Sequence, residues 1–118
     1  ALIGFGEGLT PAGDDCVLGA LAAIHRLAPC WLASHAALRD RLAEAARRRT
    51  TDLARDFLLD VLEGGFSEPV LALRTAQSDD LAGNAAGRLC AMGATSGADT
   101  LCGIRLACRA LEPRVARR

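Results

Sequence analysis

Gly4-Phe5-Gly6-Glu7-Gly8-Leu9-Thr10-Pro11-Ala12-Gly13-Asp14-Asp15 runs straight into the apolar series Cys16, Val17, Leu18, Ala20, Leu21, Ala23 and Ile24. Glycine lacks a Cβ and reaches positive φ cheaply, so the backbone here can approach another group closely. Pro11 fixes its own φ and drives Thr10 toward extended geometry. A helix that starts near Gly13 points its free N–H groups and positive dipole end back into the loop. That arrangement suits an anion. Asp14 and Asp15, in the first turn, complement the same dipole or would hold a cation such as Mg²⁺ that in turn holds the anion. A tight turn with simple N-terminal capping is the plainer alternative for the same residues.

The pattern recurs. Gly13-Asp14-Asp15-Cys16-Val17-Leu18-Gly19 aligns with Gly97-Ala98-Asp99-Thr100-Leu101-Cys102-Gly103. Each has Gly, any residue, Asp, three residues and Gly, and each opens an apolar helix-like run. Thr10 precedes the first motif, and Thr95 and Ser96 precede the second. Gly19 lies four residues after Asp15, on the same helical face. A mid-helix glycine costs about 1 kcal/mol against alanine, a cost offset where another backbone packs on it.

No segment alternates as a half-buried strand does, so the chain reads as all-α: five or six helices, with Gly-rich loops leading into the first and last. Residues 2–5 read as extended chain or a strand end. The first helix runs from Gly13 to about Leu27 and ends at Ala28-Pro29. The second covers 34–49 with Ser34 as N-cap and Ala37, Leu38, Leu42 and Ala45 as its apolar stripe. Arg47-Arg48-Arg49 is a solvated last turn, or a phosphate contact. Thr50 or Thr51 caps a helix from Asp52 to Leu62, with Leu53, Phe57, Leu58, Val61 and Leu62 inward, ended by Gly64-Gly65. Asp52, Asp56 and Asp60, four apart, form a wet face or, less favourably, a metal site. A short helix starts at Ser67 or Glu68-Pro69 and runs to about Gln77, anchored by Leu71 and Leu73. Ser78 or Asp79 caps the next, about 80–92, with Leu81, Ala85, Leu89 and Met92 inward. The last helix spans about 98–111, carries Arg105 and Arg109, and stops before Pro113; Arg114 to Arg118 form a frayed tail.

At 118 residues the chain is one domain or a piece of one. With 51% hydrophobic and 24% charged residues it can bury a core, which excludes disorder. The formal net charge of zero provides no broad field toward nucleic acid or anionic lipid. No run approaches the ~20 apolar residues of a membrane span, and the N-terminus lacks the basic start of a signal peptide. The five cysteines, Cys16, Cys30, Cys90, Cys102 and Cys108, form no CxxC pair. They read as small buried hydrophobes in a reducing cytoplasm, not as a disulfide frame or zinc site. His25 and His35 have no ligand pattern around them. Starting on Ala1-Leu2-Ile3 without Met, the sequence reads as part of a longer protein.

If the first and last helices cross at Gly19 and Gly103, their N-terminal loops converge on one pocket. Dipoles, backbone N–H groups and the hydroxyls of Thr10, Thr95 and Ser96 would then face a small anionic substrate. The candidate substrate-binding residues are Gly8, Thr10, Gly13, Asp14, Asp15, Thr95, Ser96, Gly97 and Asp99, the carboxylates orienting an amide, an amine or Mg²⁺. No catalytic residue and no metal ligand is assigned. The loop is not a Walker motif, having no Gly-Lys-Ser/Thr. The spacing of Gly4, Gly6 and Gly8 does not fit a dinucleotide fingerprint, and no serine nucleophile elbow is present.

GFGEGLTPAGDD at residues 4–15 and GATSGADTLCG at 93–103, with Arg49-Thr50-Thr51 and the stretch from Leu59 to Phe66, resemble a bacterial family that includes one subunit of oxamate carbamoyltransferase from anaerobic allantoin degradation. The resemblance covers nearly the whole chain. It departs at Ala12, where Ser is usual, and at Cys16, where a large apolar or aromatic residue is expected. It implies a role in oxalurate phosphorolysis, giving oxamate and carbamoyl phosphate, within an enzyme of several subunits. It also implies that these residues correspond to the C-terminal part of such a protein. A non-catalytic scaffold subunit and a small-carboxylate-binding module are the competing expectations.

Overall fold

A computed structural model describes residues 2–66, 68–91 and 95–116. They form seven helices: α1 (Ala12–Leu27), α2 (Pro29–Ser34), α3 (Ala36–Arg49), α4 (Asp52–Leu62), α5 (Glu68–Thr75), α6 (Asp79–Cys90) and α7 (Ser96–Ala116). The all-α class is as expected, and no described residue is in a strand. Residues 2–5 make a turn in place of the expected extended segment. The Phe5 N–H donates to the Leu2 carbonyl at 3.0 Å, which tucks Ile3 into the core.

α2 is the helix beyond those expected. Pro29 ends α1 and also starts a new turn, because its missing N–H is not needed at a first helical position. Ser34 therefore ends α2, its hydroxyl donating to the Cys30 carbonyl at 2.7 Å, and does not cap α3. His35 takes that place without a side-chain cap and stacks on Trp31, ring centroids 4.1 Å apart. The other expected caps hold. Thr51 Oγ1 accepts the Ala54 N–H at 3.1 Å, and Ser78 Oγ accepts the Leu81 N–H at 3.2 Å.

Among the described residues, three buried clusters make the core. Leu21, Leu32, Val61 and Leu62 join α1, α2 and α4. Ile3, Ala46 and Leu58 seat the N-terminal turn on α3 and α4. Ala22, Val70 and Leu89 join α1, α5 and α6. On α4 the buried stripe is Ala54, Leu58, Val61 and Leu62, so Leu53 and Phe57, one position earlier, are rotated by about 100° and exposed. Among the described helices α3 packs mainly on α4 and α2. Its Ala46 is buried, Leu42 and Ala45 are half-buried, and Ala37 and Leu38 lie outside. Val70, and not Leu71, anchors α5. Leu81 is exposed in the first turn of α6, and Met92 and Ser67 lie outside the described residues.

α7 starts at Ser96 and continues past Pro113, which has no N–H to donate to the Arg109 carbonyl. Of the expected frayed tail, residues 114–116 are helical, and 117 and 118 lie outside the described residues. Cys30, Cys90, Cys102 and Cys108 are exposed free thiols and Cys16 is half-buried, not the core residues expected. In an alanine- and leucine-rich chain the core stripes are filled without them.

α1 and α7 make the most extensive contact in the fold. A Cβ on Gly19 would overlap the Thr100 carbonyl oxygen, and a Cβ on Gly103 would overlap the Cys16 carbonyl oxygen. The two contacts are reciprocal, since Cys16 and Thr100 occupy the same place in the paired motifs. The hydrogen bond between Thr10 and Ser96, 3.2 Å, shows that both N-termini lie at one end. That places the two Gly-rich turns side by side.

Candidate functional site

The first turn of α1 is held by its own loop. The Gly13 N–H donates to the Phe5 carbonyl at 2.9 Å, and the Gly4 N–H donates to Asp14 Oδ1 at 2.7 Å. The Thr50 hydroxyl donates to Asp14 Oδ2. Asp14 is 2% exposed and has both oxygens in use, so it ties loop, helix tip and the α3–α4 corner together. The Thr51 hydroxyl donates to the Leu9 carbonyl and fixes the outer limb of the loop. Gly4 adopts φ +86°, a left-handed conformation, where the loop presses on the Arg49 carbonyl.

Asp15, one residue on, has different surroundings. The Thr10 hydroxyl donates to Ser96 Oγ at 3.2 Å, joining the loop before α1 to the first turn of α7. Both hydroxyls lie close enough to the Asp15 carboxyl to favour its charged form. Asp15 is 4% exposed, yet its Oδ2 has no hydrogen-bond partner among the described residues. Burial raises its pKa from 3.8 to about 6. The Ser96 and Thr10 hydroxyls hold it lower than burial alone would, and the Asp99 and Asp14 charges add to the rise.

Asp15 lines a cavity of about 320 Å³ beneath the α1–α7 crossing. Leu18, Phe66, Val70 and Leu89 give it apolar walls, Ser96, Gly97 and Thr100 form the α7 side, and Phe57 and Asp60 of α4, with Gly65 just after it, close it. Among the described lining residues there are two carboxylates and no cation. The volume is at the small end of ligand sites.

The two turns thus meet, and Thr10, Asp15, Ser96 and Gly97 come together. Asp99 is half-buried and close enough for its charge to act on Asp15. Thr95 is exposed, and its carbonyl accepts the Asp99 N–H at 2.9 Å. Gly13 is packed against the Leu2 carbonyl, and Gly8 lies at the exposed edge of the loop in open space. Asp14 belongs to the scaffold. Asp60, Thr100 and Phe66 were not among the candidate substrate-binding residues. Asp60 stood in the aspartate line, two members of which are paired with Arg55: Asp52 at 3.3 Å and Asp56 at 3.1 Å. Among the described residues no three His, Cys, Asp or Glu side chains gather in a metal-binding group, and no helix is long and apolar enough to cross a membrane.

A family model described as oxamate carbamoyltransferase subunit AllH matches residues 2–108, both Gly-x-Asp motifs included. No curated protein and no solved structure matches the chain.

Proposed function

The chain belongs to the AllH family of oxamate carbamoyltransferase subunits, and from that premise we propose that it supplies a small-molecule site for carbamoyl transfer. The reaction moves a carbamoyl group between oxamate and phosphate: oxalurate and phosphate give oxamate and carbamoyl phosphate, or the reverse. Such a transfer requires positioning of two small reactants and stabilisation of charge on the carbonyl and phosphate oxygens. The observation that carries the proposal is Asp15, buried with one free carboxyl oxygen, held by Thr10 from one glycine loop and Ser96 from the other.

In this scheme the N-terminal turn of α7 supports the charged end of the substrate, because a long helix presents its positive dipole end there. The α1 tip contributes less to anion binding than the motif alone suggests, since its own loop already accepts the Gly13 N–H. Thr10, Ser96 and Gly97 shape the site, and Asp99 tunes Asp15. The subunit works with other chains in the cytoplasm. Phe5, Leu9, Leu53 and Phe57 are exposed on the loop and α4 and are available for that assembly.

A non-catalytic scaffold is the second reading, favoured by the reciprocal Gly19 and Gly103 contacts and the structural use of Asp14. Isothermal titration with carbamoyl phosphate, oxamate and Mg²⁺ separates the two. Binding of either substrate that is weakened by Ser96→Ala supports a site. Absence of binding to the assembled enzyme's AllH subunit supports the scaffold.

A further inference from the structure

We propose that the cavity under the α1–α7 crossing receives the uncharged nitrogen end of the substrate, a primary amide or ureido group, with Asp15 Oδ2 accepting one of its N–H bonds. The inference rests on the substrate site proposed above and adds the orientation and selectivity of the ligand.

Three observations carry it. Asp15 Oδ2 is buried and unpartnered, and an ionised carboxyl oxygen of that kind is satisfied by a donor. Asp60 contributes a second carboxylate to the same wall, and no described lining residue is cationic. Leu18, Phe66, Val70 and Leu89 make the apolar walls and offer nothing to an anion. On the α7 side the Thr100 hydroxyl is already donated to the Ser96 carbonyl at 2.9 Å, so the Ser96 hydroxyl and the helix N-terminus mark the end where a charged group is held. A carboxylate or phosphate inside would lose its water and meet two like charges. An amide NH₂ brings the hydrogens that Asp15 lacks, and its uncharged carbonyl carbon tolerates the apolar wall. The charged end then faces outward, toward the first turn of α7. The cavity is in this way a filter that accepts an amide and rejects the carboxylate of the same shape.

Oxamide, oxamate and oxalate share one skeleton and differ by replacing NH₂ with O⁻, so they test the filter directly. Dissociation constants are measured on the assembled enzyme for wild type, Asp15→Asn and Asp60→Asn. Wild type is expected to bind oxamate roughly tenfold or more tighter than oxalate, the range for losing a hydrogen bond to a buried charged group. Asp15→Asn turns an NH₂ toward the cavity and is expected to bring that ratio within about threefold or to invert it. Asp60→Asn, at an exposed position, narrows the ratio by weakening the repulsion, and serves if Asp15→Asn does not fold. Equal binding of oxamate and oxalate by wild type, or an unchanged ratio in the folded variants, overturns the orientation while leaving a substrate site in place. Failure of all three probes to bind an assembly that turns over removes the site as well.

Discussion

Gly19 lies against the backbone carbonyl of Thr100 with no space for a side chain between them. The same relation holds in reverse between Gly103 and Cys16. These two contacts set how closely α1 and α7 approach, and so whether Thr10 reaches Ser96.

Gly19→Ala and Gly103→Ala are each expected to destabilise the fold by about 2–4 kcal/mol, since the methyl would displace backbone and not a flexible side chain. This outweighs the gain of up to about 1 kcal/mol from better helix propensity. Gly83 and Gly87 on α6 have open space around their missing Cβ atoms. Their alanine variants should gain about 0.5–1 kcal/mol. Urea unfolding of the four variants checks the opposite signs.

Asp14→Ala removes the acceptor of the Gly4 N–H and of the Thr50 hydroxyl in a buried setting. A loss of about 2–4 kcal/mol is expected, with Thr50→Val costing about 1–2 kcal/mol. Thermal unfolding of single and double variants should show strong non-additivity, because both changes break the same contact.

Asp15 should behave oppositely to its neighbour. A carboxyl whose folded pKa is raised from 3.8 to about 6 holds more protons folded than unfolded. Its contribution to stability therefore declines as pH rises from about 4 to about 6, and the cost, roughly 2–3 kcal/mol, is complete above that. Asp15→Asn should be more stable than wild type at pH 8 and indistinguishable near pH 4. Ser96→Ala removes a bond that lowers the pKa and should move the upper end of the window to higher pH. Denaturant melts across pH 4–8 would show both effects, and a flat difference between wild type and Asp15→Asn would contradict them.

Much of this was legible in the sequence because the paired Gly-x-Asp-x₃-Gly motifs carry their own geometry. A glycine where a helix former is cheaper signals a close neighbour, and two such signals in matching frames signal each other. The different fates of Asp14 and Asp15 were not legible. They differ by one residue, or about 100° around α1, which turns one carboxyl to Gly4 and Thr50 and the other to Ser96. Asp60 was hidden for a similar reason: the i, i+4 spacing described the exposed face of α4 correctly but not that α5, α6 and α7 close a cavity against its end. The misplaced stripes on α3 and α4 arose because alanines, not the larger Leu38, Leu53 and Phe57, occupy the closest helix contacts.

The most direct test of the central claim is steady-state kinetics of the assembled carbamoyltransferase carrying Asp15→Asn or Ser96→Ala, with assembly confirmed by size-exclusion chromatography. If the joined glycine turns form the substrate site, kcat/KM falls at least about tenfold in each variant while the complex stays intact. Wild-type kcat/KM in both intact complexes would contradict the claim and leave the paired turns as a device for packing α1 on α7.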